Sequence, residues 1–254
     1  EDAKKKGPNE PVHQGGGDVP ADWEAEERSF IFERRLERAV QLKEVGNGHF
    51  RAAEWDAALD YIRQDDSISE VIYSGGDPLA ANDRRLAWLT REIAAIPHVR
   101  RLRIHTRLPI VIPQRITPEL IDALCGTRLP VTMVWHCNHA AELDEQTRDA
   151  ANRLRQAGVT LLNQAVLLRG VNDTLSAQIA LSEALGDSGV LPYYLHLLDH
   201  VRGASHFLVP DNQAQELVGR LLTRLPGYLV PRLVRETAGE PAKVPVSVNL
   251  VHDL

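Results

Sequence analysis

Cysteine is nearly missing from this chain of 254 residues: Cys125 and Cys137 are the only two. That is too few for a disulfide framework and fits a reducing cytoplasm. Long apolar runs are missing too. No stretch approaches the roughly 18 residues that cross a bilayer, so no membrane partner is expected. The basic start, Lys4-Lys5-Lys6, is followed by no apolar h-region, so no secretory signal is expected either. The chain opens on Glu1 rather than methionine, as a trimmed or incomplete start would. Positive charge is not in excess. The net charge of −6 gives no electrostatic case for a dedicated nucleic-acid binder. What is present, 43% hydrophobic and 25% charged residues, is ordinary for a globular protein. The length suffices for one large α/β domain.

Lysine is scarce as well. There are five, at positions 4, 5, 6, 43 and 243, against 24 arginines. A surface charge can be either residue. A position that needs a removable proton or a nucleophilic amine cannot be arginine, whose guanidinium stays charged. Lys243, alone in the last two hundred residues, is therefore a candidate for amine chemistry, the alternative being an exposed loop lysine kept by chance.

Two regions are expected. Residues 1–50 form an atypical N-terminal segment, its first 26 residues rich in Gly, Pro and charge and expected to be disordered. A helix is expected over 28–45. From residue 51 to 254 the pattern is regular. Helical stripes (Trp55, Leu59, Ile62; Leu86, Leu89, Ile93, Ile96) alternate with apolar runs at 70–74, 101–106, 131–136, 159–167 and 190–198. Thr117-Pro118 reads as an N-cap with proline at N1, Gly158 as a helix stop, and further helices are expected over 174–186 and 211–224. Alternation of this kind predicts a parallel sheet covered by helices. Ser74, His105, His136, Asn163 and His196 recur about every thirty residues and are expected at strand C-terminal ends. That spacing predicts a partial (β/α) barrel, whose chemistry sits on that face. An open doubly wound sheet is the alternative.

Five stretches bear chemistry. "SGGD" (Ser74, Gly75, Gly76, Asp77) lacks the Lys-Ser/Thr of a P-loop and the third glycine of a dinucleotide fingerprint. An open strand end followed by a carboxylate suits a ligand with an ammonium group; a tight βα turn is the plainer reading. "HTR" and "WHCNH" bring His105, Arg107, His136, Cys137 and His139. Zinc is one reading of these, although no HxH pair closes a strand and no H-E-x-x-H occurs. Asn163 and Gln164 sit on an otherwise apolar strand, where amides are costly unless they bind something. "LLDH" supplies Asp199. "RETAGEPAKVP" displays Glu236 and Lys243 in a loop that Gly239, Pro241 and Pro245 keep irregular. A Schiff base to an aldehyde cofactor such as pyridoxal phosphate is the natural hypothesis for Lys243.

Taken together, "SGGDPL", "IPHVRRLRIHTRLPIVIPQRIT", "NHAAELDE", "GVTLLNQAVLLRGVND", "LPYYLHLLDHVRGASHF", "GYLVPRLVRE" and "GEPAKVP" resemble the lysine 2,3-aminomutase family of radical S-adenosylmethionine enzymes. They run in family order from about residue 52 to 250. The likeness is greatest to the bacterial branch that serves β-lysylation of elongation factor P. The resemblance implies an α/β partial barrel of the radical S-adenosylmethionine type and an isomerase converting L-lysine to β-lysine through a 5′-deoxyadenosyl radical. It implies three cofactors: S-adenosylmethionine, pyridoxal 5′-phosphate and a [4Fe–4S] cluster. It also implies roles. Ser74, Gly75, Gly76 and Asp77 would hold the amino group of S-adenosylmethionine, with His136 and Gln164 near the same cofactor. Lys243 would form the link to pyridoxal phosphate. Asp199 would bind the distal amine of substrate lysine. Glu236 stands where the free-lysine enzymes carry an aspartate, as in the elongation-factor branch. Lysine would be the small-molecule substrate, with elongation factor P and its lysine ligase as partners.

One family feature is not found. The cluster is held by C-x-x-x-C-x-x-C upstream of the "SGGD" strand, and residues 28–52, where it is expected, contain no cysteine. No metal ligand is therefore assigned. Two alternatives stay open. One is a catalytically inactive homologue that binds pyridoxal phosphate, S-adenosylmethionine or a partner. The other is a metal-dependent barrel hydrolase using His105, His136, His139 or Asp199.

Overall fold

The computed structural model describes residues 52–199, 203–237 and 242–248. The expected N-terminal segment, its helix over 28–45 and the region where a cluster loop is expected lie outside the described residues, apart from the first turn of helix α1, which begins at Ala52.

Six parallel strands follow one another in sequence order: β1 (Glu70–Tyr73), β2 (Arg101–Thr106), β3 (Val131–Trp135), β4 (Thr160–Leu167), β5 (Leu191–Leu197) and β6 (Arg232–Arg235). A short antiparallel strand, β7 (Val244–Pro245), completes the edge. Sequential order without a reversal point is that of a part-barrel, not of a doubly wound sheet. Helices α1 (Ala52–Gln64), α2 (Asp83–Ala94), α4 (Pro118–Cys125), α5 (Glu145–Gln156), α6 (Leu175–Asp187) and α7 (Asp211–Leu222) alternate with the strands, and a single turn, α3 (Leu108–Val111), follows β2.

The helices begin and end for local reasons. The Asn82 side chain accepts from the Arg85 N–H, Thr117 from Leu120, Asp144 from Thr147 and Thr174 from Ala177, so each helix starts with one of its orphan donors satisfied. After α5, Gly158 takes φ +83°; its N–H bonds to the Arg155 carbonyl and that of Val159 to Leu154, which turns the chain straight into β4.

The core lies between sheet and helices. Leu102, Ile104, Met133, Trp135, Leu161 and Leu167 are essentially solvent-free against Leu86, Leu120, Leu154 and Leu185. β4 shows the alternation most clearly. Leu161, Asn163, Ala165 and Leu167 are buried towards the helices, while Leu162, Gln164 and Val166 are half-exposed on the opposite, concave face. Register carries that face across the sheet: Arg103 pairs with Thr132, His105 with Val134, Gln164 with Tyr194, Val166 and Val234 with His196. A shift between Asn163 and Gln164 sets β5 one residue out of phase and brings both Tyr193 and Tyr194 together, their rings 3.8 Å apart.

Two expectations need correction. Asn163 is not at a strand end; it is the fourth residue of the eight in β4. The stretch from Arg235 to Pro245, read as irregular loop, begins on the last residue of β6 and ends in β7. β6 has only Leu233 and Val234 between two arginines, no apolar run to announce it, and its pairing with β5 and β7 defines it.

Candidate active site on the concave face

At the end of β1, Gly75 and Gly76 take φ +85° and +62° in succession. Two consecutive left-handed positions require glycine, and a Cβ at either would meet nothing within 4 Å. The turn is therefore an open shelf of exposed backbone. Asp77 follows it, but its carboxylate is engaged: Oδ1 accepts from Leu79 N–H (3.1 Å) and Thr106 Oγ1–H (2.7 Å), Oδ2 from Arg107 N–H (2.8 Å) and Leu108 N–H (3.1 Å).

Next along the rim, Arg107 Nη2 donates to Glu142 Oε2 at 3.0 Å, and Glu142 Oε1 accepts the Asn138 and His139 N–H groups at 2.7 and 2.9 Å. Asn163, 2% exposed, clasps the backbone of Cys137 from both sides, its Oδ1 accepting from N–H (2.9 Å) and its Nδ2 donating to the carbonyl (3.0 Å). Its neighbour Gln164 points the other way and meets His136, Nε2 to Nε2 at 2.8 Å. Either Gln164 donates to an unprotonated His136 nitrogen, or the amide is reversed and accepts from it. In both cases one end of the amide is buried without a partner.

The other half of the face carries the amine. Lys243 Nζ lies 2.5 Å from Glu236 Oε1 and 5.9 Å from the Tyr194 ring centre. His196 Nδ1 is 3.8 Å from the same carboxylate oxygen, and its buried Nε2 has no hydrogen-bond partner. Asp199, exposed, follows β5. His105 faces His136 edge-on at 6.1 Å.

Burial disfavours the charged form of all three histidines. It lowers His105 to about 3, helped by the charge of Arg103, and His196 to about 4, helped by Lys243. His136 is lowered mainly by burial, against the pull of Asp77. Burial of Glu236 works to raise its pKa, yet the bond from Lys243 outweighs it and the net shift is downward. The histidines of the face thus add little charge to its ion pairs, Arg103–Glu70, Arg107–Glu142 and Lys243–Glu236.

The sequence-predicted residues therefore meet on one face: the 74–77 turn, His136 and Gln164 on one side, Glu236 and Lys243 on the other, with Asp199 beyond the end of β5. His139 is not among them; its Nδ1 accepts from Ala141 N–H and caps a local turn. Among the described residues, no three His, Cys, Asp or Glu side chains are arranged to hold a metal ion. His196 and Tyr194 are contacts the sequence reading left without a role. His196 was visible in the thirty-residue recurrence, but its facing Glu236 depends on the pairing of β5 with β6.

Among curated proteins, this chain is 50% identical over 219 residues to the L-lysine 2,3-aminomutase of Escherichia coli, covering 84% of this chain and 64% of that protein. It is 55% identical over 189 residues to that of Haemophilus influenzae, covering 74% and 56%. It is 40% identical over 196 residues to that of Clostridium subterminale, covering 77% and 47%. The chain belongs to the lysine 2,3-aminomutase family. It spans less than two thirds of the length of these relatives. No family model matches it. Among solved structures, a radical SAM methyltransferase from Sphaerobacter thermophilus shares the fold at TM-score 0.50 and 18% identity, over 73% of this chain and 57% of that one. Membership of the aminomutase family agrees with the part-barrel. No helix among the described residues is long and apolar enough to cross a membrane.

Proposed function

We propose that this part-barrel is the ligand-holding portion of a lysine 2,3-aminomutase, an isomerase that moves the amino group of L-lysine from Cα to Cβ. The observation that carries this reading is the position of Lys243. The lone lysine of the barrel region lies on the same concave face as the double-glycine turn and the His136–Gln164 pair, and its charge is felt at His105, His136 and His196. In this reading the Ser74–Asp77 segment, His136 and Gln164 hold S-adenosylmethionine, Lys243 holds pyridoxal phosphate, and Asp199 and Glu236 receive the distal ammonium of lysine.

The residues fit both organic cofactors. The glycine turn is open on its outer side, and the unpartnered end of the Gln164 amide asks for a hydrogen-bonding ligand. Lys243 offers a primary amine beside an aromatic ring, with the unpartnered Nε2 of His196 nearby. When bound, S-adenosylmethionine is the source of a hydrogen-abstracting radical and pyridoxal phosphate the conjugated system that spreads it. The chain's own part is to position and to move protons. Attack by Lys243 on a carbonyl requires Nζ to shed a proton, and Glu236 Oε1, 2.5 Å away, is placed to take it. Once that proton has passed on to the carbonyl oxygen, which leaves as water, the Glu236 carboxylate is regenerated facing the pocket as an acceptor for a cationic amine. The three neutral histidines add no competing charge.

The residues do not fit a [4Fe–4S] cluster. Cys125 ends α4 at the edge of the sheet where β3 begins, and Cys137 lies past the edge where β3 ends. Burial pushes the Cys137 thiol up to about 12, further raised by Glu142, so it stays protonated. No step is derived through a cluster. The cysteine count favours a second reading: these 254 residues bind the cofactors and lysine without isomerising it. Glu236, in place of the aspartate of the free-lysine enzymes, favours the branch serving elongation factor P, with that factor and its lysine ligase as partners in the cytoplasm.

The test is absorbance titration with pyridoxal phosphate, alongside iron and acid-labile sulfide after anaerobic reconstitution. A band near the visible edge that Lys243→Ala abolishes is expected, with iron near background and no β-lysine formed. A cluster signal perturbed by S-adenosylmethionine would overturn the non-isomerising reading; a band that survives Lys243→Ala would overturn the assignment of Lys243.

A further inference from the structure

We infer that Asp77 is a positioning residue rather than a ligand-binding one: its carboxylate bolts the double-glycine turn to the end of β2, and the turn's backbone, not this side chain, meets the ligand. This rests on reading the turn as the seat of S-adenosylmethionine. Position alone suggests the opposite, since an aspartate next to an open glycine turn invites an ammonium group.

The geometry decides between the two. An ionised carboxylate offers about four lone-pair sites, and four donors already occupy them, two per oxygen, at 2.7 to 3.1 Å. Three of the four come from Thr106, Arg107 and Leu108, about thirty residues away on the next strand and its following turn. The fourth, Leu79 N–H, belongs to the short 3-10 turn that Asp77 itself caps. Asp77 thus does two jobs. It starts the Pro78–Ala80 turn, and it supplies the cap that α3 lacks, because Arg107 at that N-cap makes no side-chain bond to its own helix. Beyond it, Arg115 holds the far side of the same segment, with Nε on the Leu79 carbonyl (2.7 Å), Nη2 on that of Ala81 (2.9 Å) and an ion pair to Asp83 at 2.6 Å.

By contrast, Gly75 and Gly76 have nothing within 4 Å of where a Cβ would stand, and both are exposed. Their conformation cannot come from packing, so it is set by how the segment is tied on either side. Breaking a tie should loosen the shelf even where the broken bond lies away from any ligand.

Thr106→Val tests this directly. Thr106 is buried, 1% exposed; its hydroxyl donates to Asp77 and accepts the Leu108 N–H at 3.1 Å. Two readouts are needed: the Kd for S-adenosylmethionine and amide exchange at Arg107 and Leu108 in the ligand-free protein. Asp77→Asn is expected to weaken binding at least tenfold, because its new NH2 faces donors. Thr106→Val is expected to weaken it about fivefold, the loss of the one hydrogen bond that reaches Asp77. The double variant should be no weaker than Asp77→Asn alone, the mark of a shared interaction. Both variants should speed exchange at Arg107, whose N–H bonds to Asp77 and not to Thr106; Leu108 loses a direct acceptor in Thr106→Val and is read only in Asp77→Asn. If Thr106→Val binds like wild type while Asp77→Asn does not, and exchange at Arg107 is unmoved in Thr106→Val, the carboxylate touches the ligand and the inference falls. If wild type itself fails to bind S-adenosylmethionine, the seat assigned to that cofactor falls instead. The exchange data then decide the bolt alone: accelerated Arg107 and Leu108 amides in Asp77→Asn uphold it, unchanged ones overturn it.

Discussion

The two arcs of the rim are built differently. From β1 to β4 each strand end is tied to the next by a carboxylate or amide with most of its valences used: Asp77 to Thr106, Arg107 and Leu108; Glu142 to Arg107 and the 138–139 backbone; Asn163 to Cys137; Asn138 to the Val166 N–H. Asn172, fully buried, extends the lacing by donating to the Asn138 and Val166 carbonyls. From β5 to β7 the ties are ionic and half-open. Glu236 is 53% exposed at its side chain, Lys243 24%, and Asp199 stands in solvent. The laced arc presents fixed backbone and amide groups. The open arc presents an amine and carboxylates that must change partners. Satisfied buried hydrogen bonds hold a shape, while exposed ion pairs contribute little and exchange readily. A site that grips one ligand and reacts with another needs both kinds of construction.

The difference can be broken most completely at Lys243. Lys243→Ala should abolish the pyridoxal phosphate absorbance band yet move the urea midpoint very little, since a half-exposed ion pair is worth about 0–1 kcal/mol. On the laced arc the effect should be reversed. Asn163→Ala leaves the Cys137 N–H and carbonyl buried without partners and should cost about 2–3 kcal/mol in equilibrium unfolding.

Acid should act where the arcs meet. His105 and His196 are held near 3 and 4 in the folded protein, below the ordinary 6.5. Between those values the unfolded chain binds protons that the folded one does not. Stability is therefore complete above about pH 6.5 and lost as pH falls towards 4, by up to about 1.4 kcal/mol per pH unit for each histidine. Unfolding midpoints at pH 7, 6 and 5 check this, and His196→Gln should flatten the decline. Smallest of all should be Glu236→Gln. It removes a screened ion pair and should change stability by less than about 1 kcal/mol, while slowing the capture of pyridoxal phosphate by Lys243 in stopped-flow absorbance.

Much of the architecture was legible in the chain. The strand over 101–106 and the Thr117 cap match residue for residue, and the other expected strands and helices among the described residues differ by one or two residues at their ends. These are short-range features: a period, a cap, a stop glycine. The same rules gave no warning of β6 and β7: β1, no longer than β6, is announced by three successive apolar residues, whereas β6 has two between arginines and β7 only Val244 and Pro245. The candidate site was legible as a set of positions and not as a set of partners. Asn163 and Gln164 looked alike as two amides in an apolar strand; one is spent on backbone and the other faces the pocket, which follows from alternation plus the shift between them. Asp77 looked available and is saturated.

The sequence by itself determined the alternating elements, the double glycine at a strand end, and the presence of one amine in a barrel otherwise served by arginine. Those depend on residue type and on neighbours within one or two turns. Only the tertiary structure decided which polar groups are free. Asp77 finds three of its donors 29 to 31 residues away, Asn163 its partner 26 away, and Lys243 reaches the shared face by an antiparallel strand that β6 must first create. A hydrogen-bonding group is open or spent according to what the fold sets within 3 Å of it, and separations of that length are fixed by strand pairing rather than by the local chain.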